Sequence, residues 1–144
     1  MLNENISIKG DLKITLRDVV TGELMERIEK NLVVSVGKSY IASRMASNTS
    51  PVMSTMAVGT NSTAPSALDT SLGAQLVSVS LAVAGGTPSS NTVLYTATFP
   101  PGVGTGALVE AGIFGSVMLS RTTFTVINKG ANDEMIINWT ITIG

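Results

Sequence analysis

Few of the 144 side chains can move a proton, attack a carbonyl or hold a metal ion. Histidine and cysteine are both absent. The commonest general base and the commonest metal ligand are therefore missing, together with every disulfide and thiolate site. Acid–base work would fall to carboxylates, which need a second acid on a facing element. From residue 48 onward the acids are Asp69, Glu110, Asp133 and Glu134. Asp133-Glu134 falls in a turn and reads as solvated. Glu110 lies inside a strand, between Val109 and Ala111, and Arg121 is the partner expected to neutralise it.

The remaining motifs are weaker still. A nucleophilic serine needs an activating base. Lys38 and Ser39 are adjacent in sequence, and the pair reads as the solvated face of a helix. Gly102-Val103-Gly104-Thr105-Gly106-Ala107 has the wrong spacing for a dinucleotide loop and joins two strands instead of opening a helix. Asp18, Thr21 and Glu23 could offer oxygens to calcium, but an ordinary Asx-type turn accounts for them. The two Tyr, three Phe and one Trp fall mostly at core-facing positions, without the interleaved basic residues of a nucleic-acid surface. A net charge of −1 draws the chain toward neither nucleic acid nor an anionic membrane. These readings assign no catalytic residue, no cofactor and no metal ligand, and the chain is expected not to be an enzyme.

The elements that carry these residues are mostly strands. Leu12, Ile14 and Leu16 alternate with Lys13, Thr15 and Arg17, a half-buried strand. A turn over residues 18–22 leads to a second strand over residues 23–34, which makes a hairpin. Val36, Tyr40, Ile41 and Met45 recur at helical spacing, so residues 35–47 are expected to form one short helix capped by Ser35. Short strands follow over residues 53–58, 93–99, 107–114 and 118–126, the last with Phe124 and Val126 on one face. Residues 75–84 alternate loosely, residues 69–75 could form one helical turn, and residues 85–90 read as a turn. The clearest strand is the last: Met135, Ile137, Trp139, Ile141 and Ile143 point one way, and Ile136, Asn138, Thr140 and Thr142 the other. Turn signals every 8–12 residues predict a mainly β chain, an antiparallel β-sandwich with an N-terminal hairpin or arm and one short helix.

Charge is uneven along the chain. Only 13% of residues are charged, against about 25% in an ordinary domain. Residues 1–47 hold thirteen of the nineteen charged side chains, and between Met45 and Val109 the single charge is Asp69. The expected division is an arm, hairpin and helix over residues 1–47 and the sandwich over residues 48–144. A neutral body rich in Ser, Thr, Gly and Ala reads either as a hydroxyl-rich free surface or, because such surfaces tend to associate, as one covered by neighbours. The polar opening segment, residues 1–12, is read as an extended arm. No secretory or membrane-spanning segment is visible.

Several blocks of this sequence resemble tailed-bacteriophage virion structural proteins. They are Ala57-Val58-Gly59-Thr60 with Thr63-Ala64-Pro65, Leu68-Asp69-Thr70-Ser71-Leu72-Gly73-Ala74-Gln75-Leu76, Tyr95-Thr96-Ala97-Thr98-Phe99-Pro100, and Glu110-Ala111-Gly112-Ile113-Phe114-Gly115. Met118-Leu119-Ser120-Arg121-Thr122-Thr123-Phe124, Val126-Ile127-Asn128-Lys129-Gly130 and Trp139-Thr140-Ile141-Thr142 complete them. The resemblance spans about residues 30–144. It implies a capsid decoration (cement) protein, a homotrimer that clamps neighbouring major capsid protein subunits on the virion surface after synthesis in the bacterial cytoplasm. The alternative it implies is a tail-fibre or baseplate component contacting a host receptor.

Overall fold

The computed structural model describes residues 6–47 and 49–144. Among these the chain forms β1 (Ile8–Asp18), β2 (Leu24–Val33), α1 (Ser35–Ala46), β3 (Thr55–Gly59), β4 (Gln75–Ser80), β5 (Thr87–Ser89), β6 (Thr92–Phe99), β7 (Gly106–Phe114), β8 (Met118–Lys129) and β9 (Asp133–Ile143). All nine strands belong to one antiparallel sheet, in the order β4-β3-β7-β8-β2-β1-β9-β6-β5. The sheet curls into a half-barrel and is not the two-sheet sandwich that the turn spacing predicts.

The reason lies in β2. Leu24 to Asn31 pair with β1, after which Leu32 and Val33 pair with Arg121 and Ser120 of β8. One strand thus joins the two halves through backbone hydrogen bonds. Toward its start β2 leaves β8, and the Arg27 guanidinium reaches across to the Thr125 carbonyl. Strands twist right-handedly, and strands of eleven and twelve residues, such as β9 and β8, accumulate enough twist to roll a sheet over its own face. Alternation along a strand reports only that one face is buried. It reads the same in a rolled sheet and in two stacked ones.

β9 is the spine of the inner core. It pairs with β1 from Ile8↔Ile143 to Asp18↔Asp133 and with β6 from Thr92↔Thr142 to Phe99↔Met135. Met135, Ile137, Trp139 and Ile141 are buried as the alternation predicts, and Ile143 lies at the exposed end. Trp139 sits opposite Leu12 on one side and Tyr95 on the other, which places all three in one cluster.

The N-terminal expectations change in detail. Of the arm expected over residues 1–12, residues 1–5 lie outside the described residues. Ile8 to Leu12 belong to β1, paired to β9, with Gly10 onward paired to β2 as well, and Leu12 is buried. The helix forms where its spacing places it, but its cap is Val34, without a side-chain bond. Ser35 instead starts the helix, and its N–H donates to the Ala67 carbonyl at 2.8 Å. Gly37 lets α1 lie directly on β8, since a Cβ there would stand 2.1 Å from the Leu119 carbonyl oxygen.

Three further local expectations fail. Residues 69–74 contain no helical turn. The turn expected over residues 85–90 contains the edge strand β5, whose Pro88 cannot donate to a further strand. In β8, Phe124 to Val126 lie opposite the single Val109, a bulge between the pairs Glu110↔Thr123 and Leu108↔Ile127. The extra residues turn Phe124 and Ile127 inward and leave Val126 exposed, so Phe124 and Val126 do not share a face.

Trp139→Ala is expected to destabilise the protein by about 3–5 kcal/mol, the range for emptying a large aromatic site in a core. Val126→Ala should change stability by about 0.5 kcal/mol or less. Urea unfolding of both variants checks the pair, and an equal loss at Val126 would contradict the bulge.

Candidate functional site

The face of β3 and β7 that turns away from the inner core carries residues 60–74, a segment without helix or strand. A loop of that length inside a compact fold needs something to hold it. Glu110 holds it. The side chain is fully buried, projecting from β7 beside Gly59 of β3. Its Oε2 accepts the backbone N–H of Asn61 at 2.9 Å and of Ala74 at 2.8 Å, and its Oε1 accepts that of Gly73 at 2.8 Å.

Arg121, projecting from β8, completes the arrangement. Its Nε and Nη2 each stand 3.1 Å from Glu110 Oε1. Its Nη1 donates to Asp69 Oδ2 at 3.1 Å, and its Nη2 reaches the Asn61 carbonyl at 3.4 Å. Asp69 Oδ2 also accepts the Ser66 N–H at 2.9 Å. Both ends of the loop and its middle are therefore tied to one buried ion pair. Gly59 makes room for this: a Cβ there would stand 2.3 Å from the Ala74 carbonyl oxygen and 2.6 Å from Glu110 Oε2.

The clasp carries a small core of its own. Leu72 packs with Val34, Ala57 and Met118, flanked by Val36 and Phe114. The loop thus seals β3, β7 and the start of α1 on the face opposite the inner core. Burial alone would raise the Glu110 pKa. The N–H groups of Ala74, Asn61 and Gly73 and the Arg121 side chain outweigh burial and hold the carboxyl below its ordinary value of 4.5. An ionised carboxylate has about four acceptor positions, and all of them are engaged here. A hollow of about 410 Å³ lies over the clasp, lined in part by Thr63, Asp69, Ser71 and Arg121. The guanidinium at its floor is already committed to Glu110, Asp69 and Asn61. What this arrangement does is fix a loop in place.

The structure therefore joins Glu110 to Arg121, as the sequence reading expects. Asp133 opens β9 half-buried, and its Oδ2 accepts the Gly130 N–H at 2.7 Å, so it caps a turn where free solvation was expected. Lys38 and Ser39 are exposed on α1. Asp18 forms the Asx turn: its Oδ1 accepts the N–H of Val20 at 2.8 Å and of Thr21 at 3.0 Å. The Thr21 and Val20 N–H groups hold its carboxyl below its usual value. Among the described residues no three acids gather as a metal-binding group. Gly102 and Gly104 sit at positive φ in the β6–β7 loop, not at a helix start.

Two charged side chains with fixed partners escape the sequence reading. Asp69 is one, although its isolation as the sole charge between Met45 and Val109 is a usable signal. Lys129 is the other. It is buried at the end of β8, where its Nζ donates to the Pro100 carbonyl at 3.0 Å. Burial pushes its pKa down, and nearby Asp133 partly opposes this. No family model, curated protein or solved structure matches the chain.

Glu110→Gln or Arg121→Met is expected to destabilise by about 3 kcal/mol or more, because either leaves a buried charge unpaired. The double variant should lose less than the sum of the two. The Glu110 pKa is lowered by folding, so its contribution is complete above the unfolded value near 4.5 and is lost as pH falls through it toward the folded value. The gap in stability between the wild type and Glu110→Gln should accordingly narrow from about pH 7 to about pH 3. Urea midpoints at the two pH values measure it, and a constant gap would refute the assignment.

Proposed function

We propose that the chain is a non-enzymatic structural protein of a tailed-bacteriophage virion. In this reading it is a capsid decoration or cement protein that associates as a trimer and clamps neighbouring subunits of the major capsid protein. The observation that carries the reading is where the resembling blocks meet. Gly59, Asp69, Leu72, Gly73, Ala74, Glu110 and Arg121 all lie within those blocks, and together they build the clasp. The resemblance therefore follows the framework of this fold.

Surface chemistry supports the same reading. Asp69 and Arg121 are spent on each other, and Glu110 is sealed beneath the loop. Between Met45 and Val109 no other charge remains, while Leu68, Leu76 and Val83 are exposed. Burying unpaired charge at a seam is costly, and neutral surfaces with apolar side chains suit coverage by neighbours. Symmetric repetition lets weak contacts add, because one engaged copy raises the effective concentration of the next contact. A receptor-binding role at the tail would favour exposed aromatic anchors in the loops. The loops over residues 59–68, 85–90 and 100–106 contain no aromatic residue.

Antibody labelling of virions, read by electron microscopy, tests the proposal. Label should decorate the head at regular surface positions. Label confined to the tail would overturn the capsid assignment in favour of a tail component, and unlabelled particles would remove the virion role altogether.

A further inference from the structure

Lys13–Glu26 and Arg27–Glu29 pair along the middle of the β1–β2 hairpin, and other charges lie toward the two ends of the sheet. One end holds the turn after β1 and the start of β9. Asp18, Glu23, Asp133 and Glu134 gather there, against Arg17 and the buried Lys129. The opposite end holds α1, the start of β1 and the end of β9. Lys9, Lys38 and Arg44 lie there, and nearby Lys30 is paired with Asp11 at 3.3 Å.

Each end also carries apolar surface of a different shape. At the acidic end Val19 is 44% exposed, Val20 73% and Leu24 59%. These valines ride on a braced turn. Asp18 Oδ1 accepts the Val20 and Thr21 N–H groups, and the Val19 N–H donates to the Asn132 carbonyl at 3.0 Å. At the basic end an apolar groove of about 220 Å³ runs between α1 and the sheet. Tyr40, Ile41, Val93, Tyr95, Ile141 and Ile143 line it. Arg44 also lines it, while its Nη1 donates to the Ser50 carbonyl at 2.7 Å.

We propose that the groove of one copy receives the Val19–Val20 tip of a second copy. The tip is apolar with acids beside it, and the groove is apolar with Arg44 in its lining and Lys38 exposed on the same helix. Docking one in the other buries the exposed valines and brings Asp18 and Glu23 toward Lys38 and Arg44. Electrostatic complementarity of this kind sets orientation and selects against wrong pairings. The contact joins two different surfaces of identical chains, so it is head-to-tail and closes into a ring when the rotation permits. Closure after three copies gives the trimer described above. The inference rests on that self-association and names the surfaces that carry it.

Sedimentation equilibrium on the full chain tests it, with one variant for each end. Val19→Ser with Val20→Ser alters the exposed tip, and Ile143→Glu places a negative charge at the groove. The wild type should self-associate. Each variant alone should associate about tenfold or more weakly, as expected when a central apolar contact is lost. An equal mixture should form a heterodimer and nothing larger, because each variant keeps the end that the other has lost. Glu23→Lys and Lys38→Glu, both at exposed positions, repeat the logic without touching the groove wall, and the double variant should regain association. Self-association unchanged in the tip and groove variants would overturn this contact and leave the trimer reading standing. Loss in both variants without a heterodimer on mixing would also overturn it. A wild type that stays monomeric at every concentration would end both.

Discussion

A carboxylate buried without partners is among the most unfavourable groups a protein can contain. In this chain Glu110 is a fully buried carboxylate, and the fold around it supplies the partners that satisfy it. Three of its partners are backbone N–H groups from residues 61, 73 and 74, so solvating the charge and placing the loop are one event. Once the loop is placed, Leu72 closes the small outer core and the Ala67 carbonyl receives the N–H of Ser35 at the start of α1. The helix and the sheet are thus joined through a segment that has no regular structure of its own.

This arrangement explains why β3 and β7 look unlike the other strands. Four of the five residues of β3 are buried, and β7 is buried continuously from Glu110 to Ile113. Such runs are characteristic of strands covered on both faces. Here the inner core covers one face and the clasped loop the other. β9, by contrast, is covered on one side only, and its burial alternates along almost its whole length.

The same contrast marks what the sequence could reveal. Strands with one covered face, β6 and β9, were legible because period-2 alternation states their burial directly. The Glu110–Arg121 pair was legible because an acid in an apolar strand demands a cation, and few cations are available. The rolled sheet was not legible. It depends on the last two residues of β2 changing partners, and no local pattern in Leu32-Val33 marks that exchange. The bulge at Phe124 to Val126 was hidden for a related reason, since extra residues in a strand change which face their neighbours meet while each residue keeps its type. The clasp spans about fifty residues in sequence, from Asn61 to Glu110, beyond the reach of any spacing rule.

Why the chain should use an ion pair at this position follows from the loop. Replacing a buried pair by well-packed apolar residues is often neutral or stabilising. That exchange is closed here, because an apolar side chain at residue 110 would leave the N–H groups of Asn61, Gly73 and Ala74 without acceptors beneath the loop. The pair therefore acts as a positional device, and Arg121 is required chiefly because Glu110 is. Asp69 then takes the remaining hydrogen-bonding edge of the guanidinium. The central stretch of the chain has thus committed its scarce charge to its own interior. What faces outward there is neutral and partly apolar, while the other ionised side chains lie along the β1–β2 hairpin and toward the two ends of the sheet. In the proposed assembly such a body meets its neighbours through shape along its flanks and through charge at its ends.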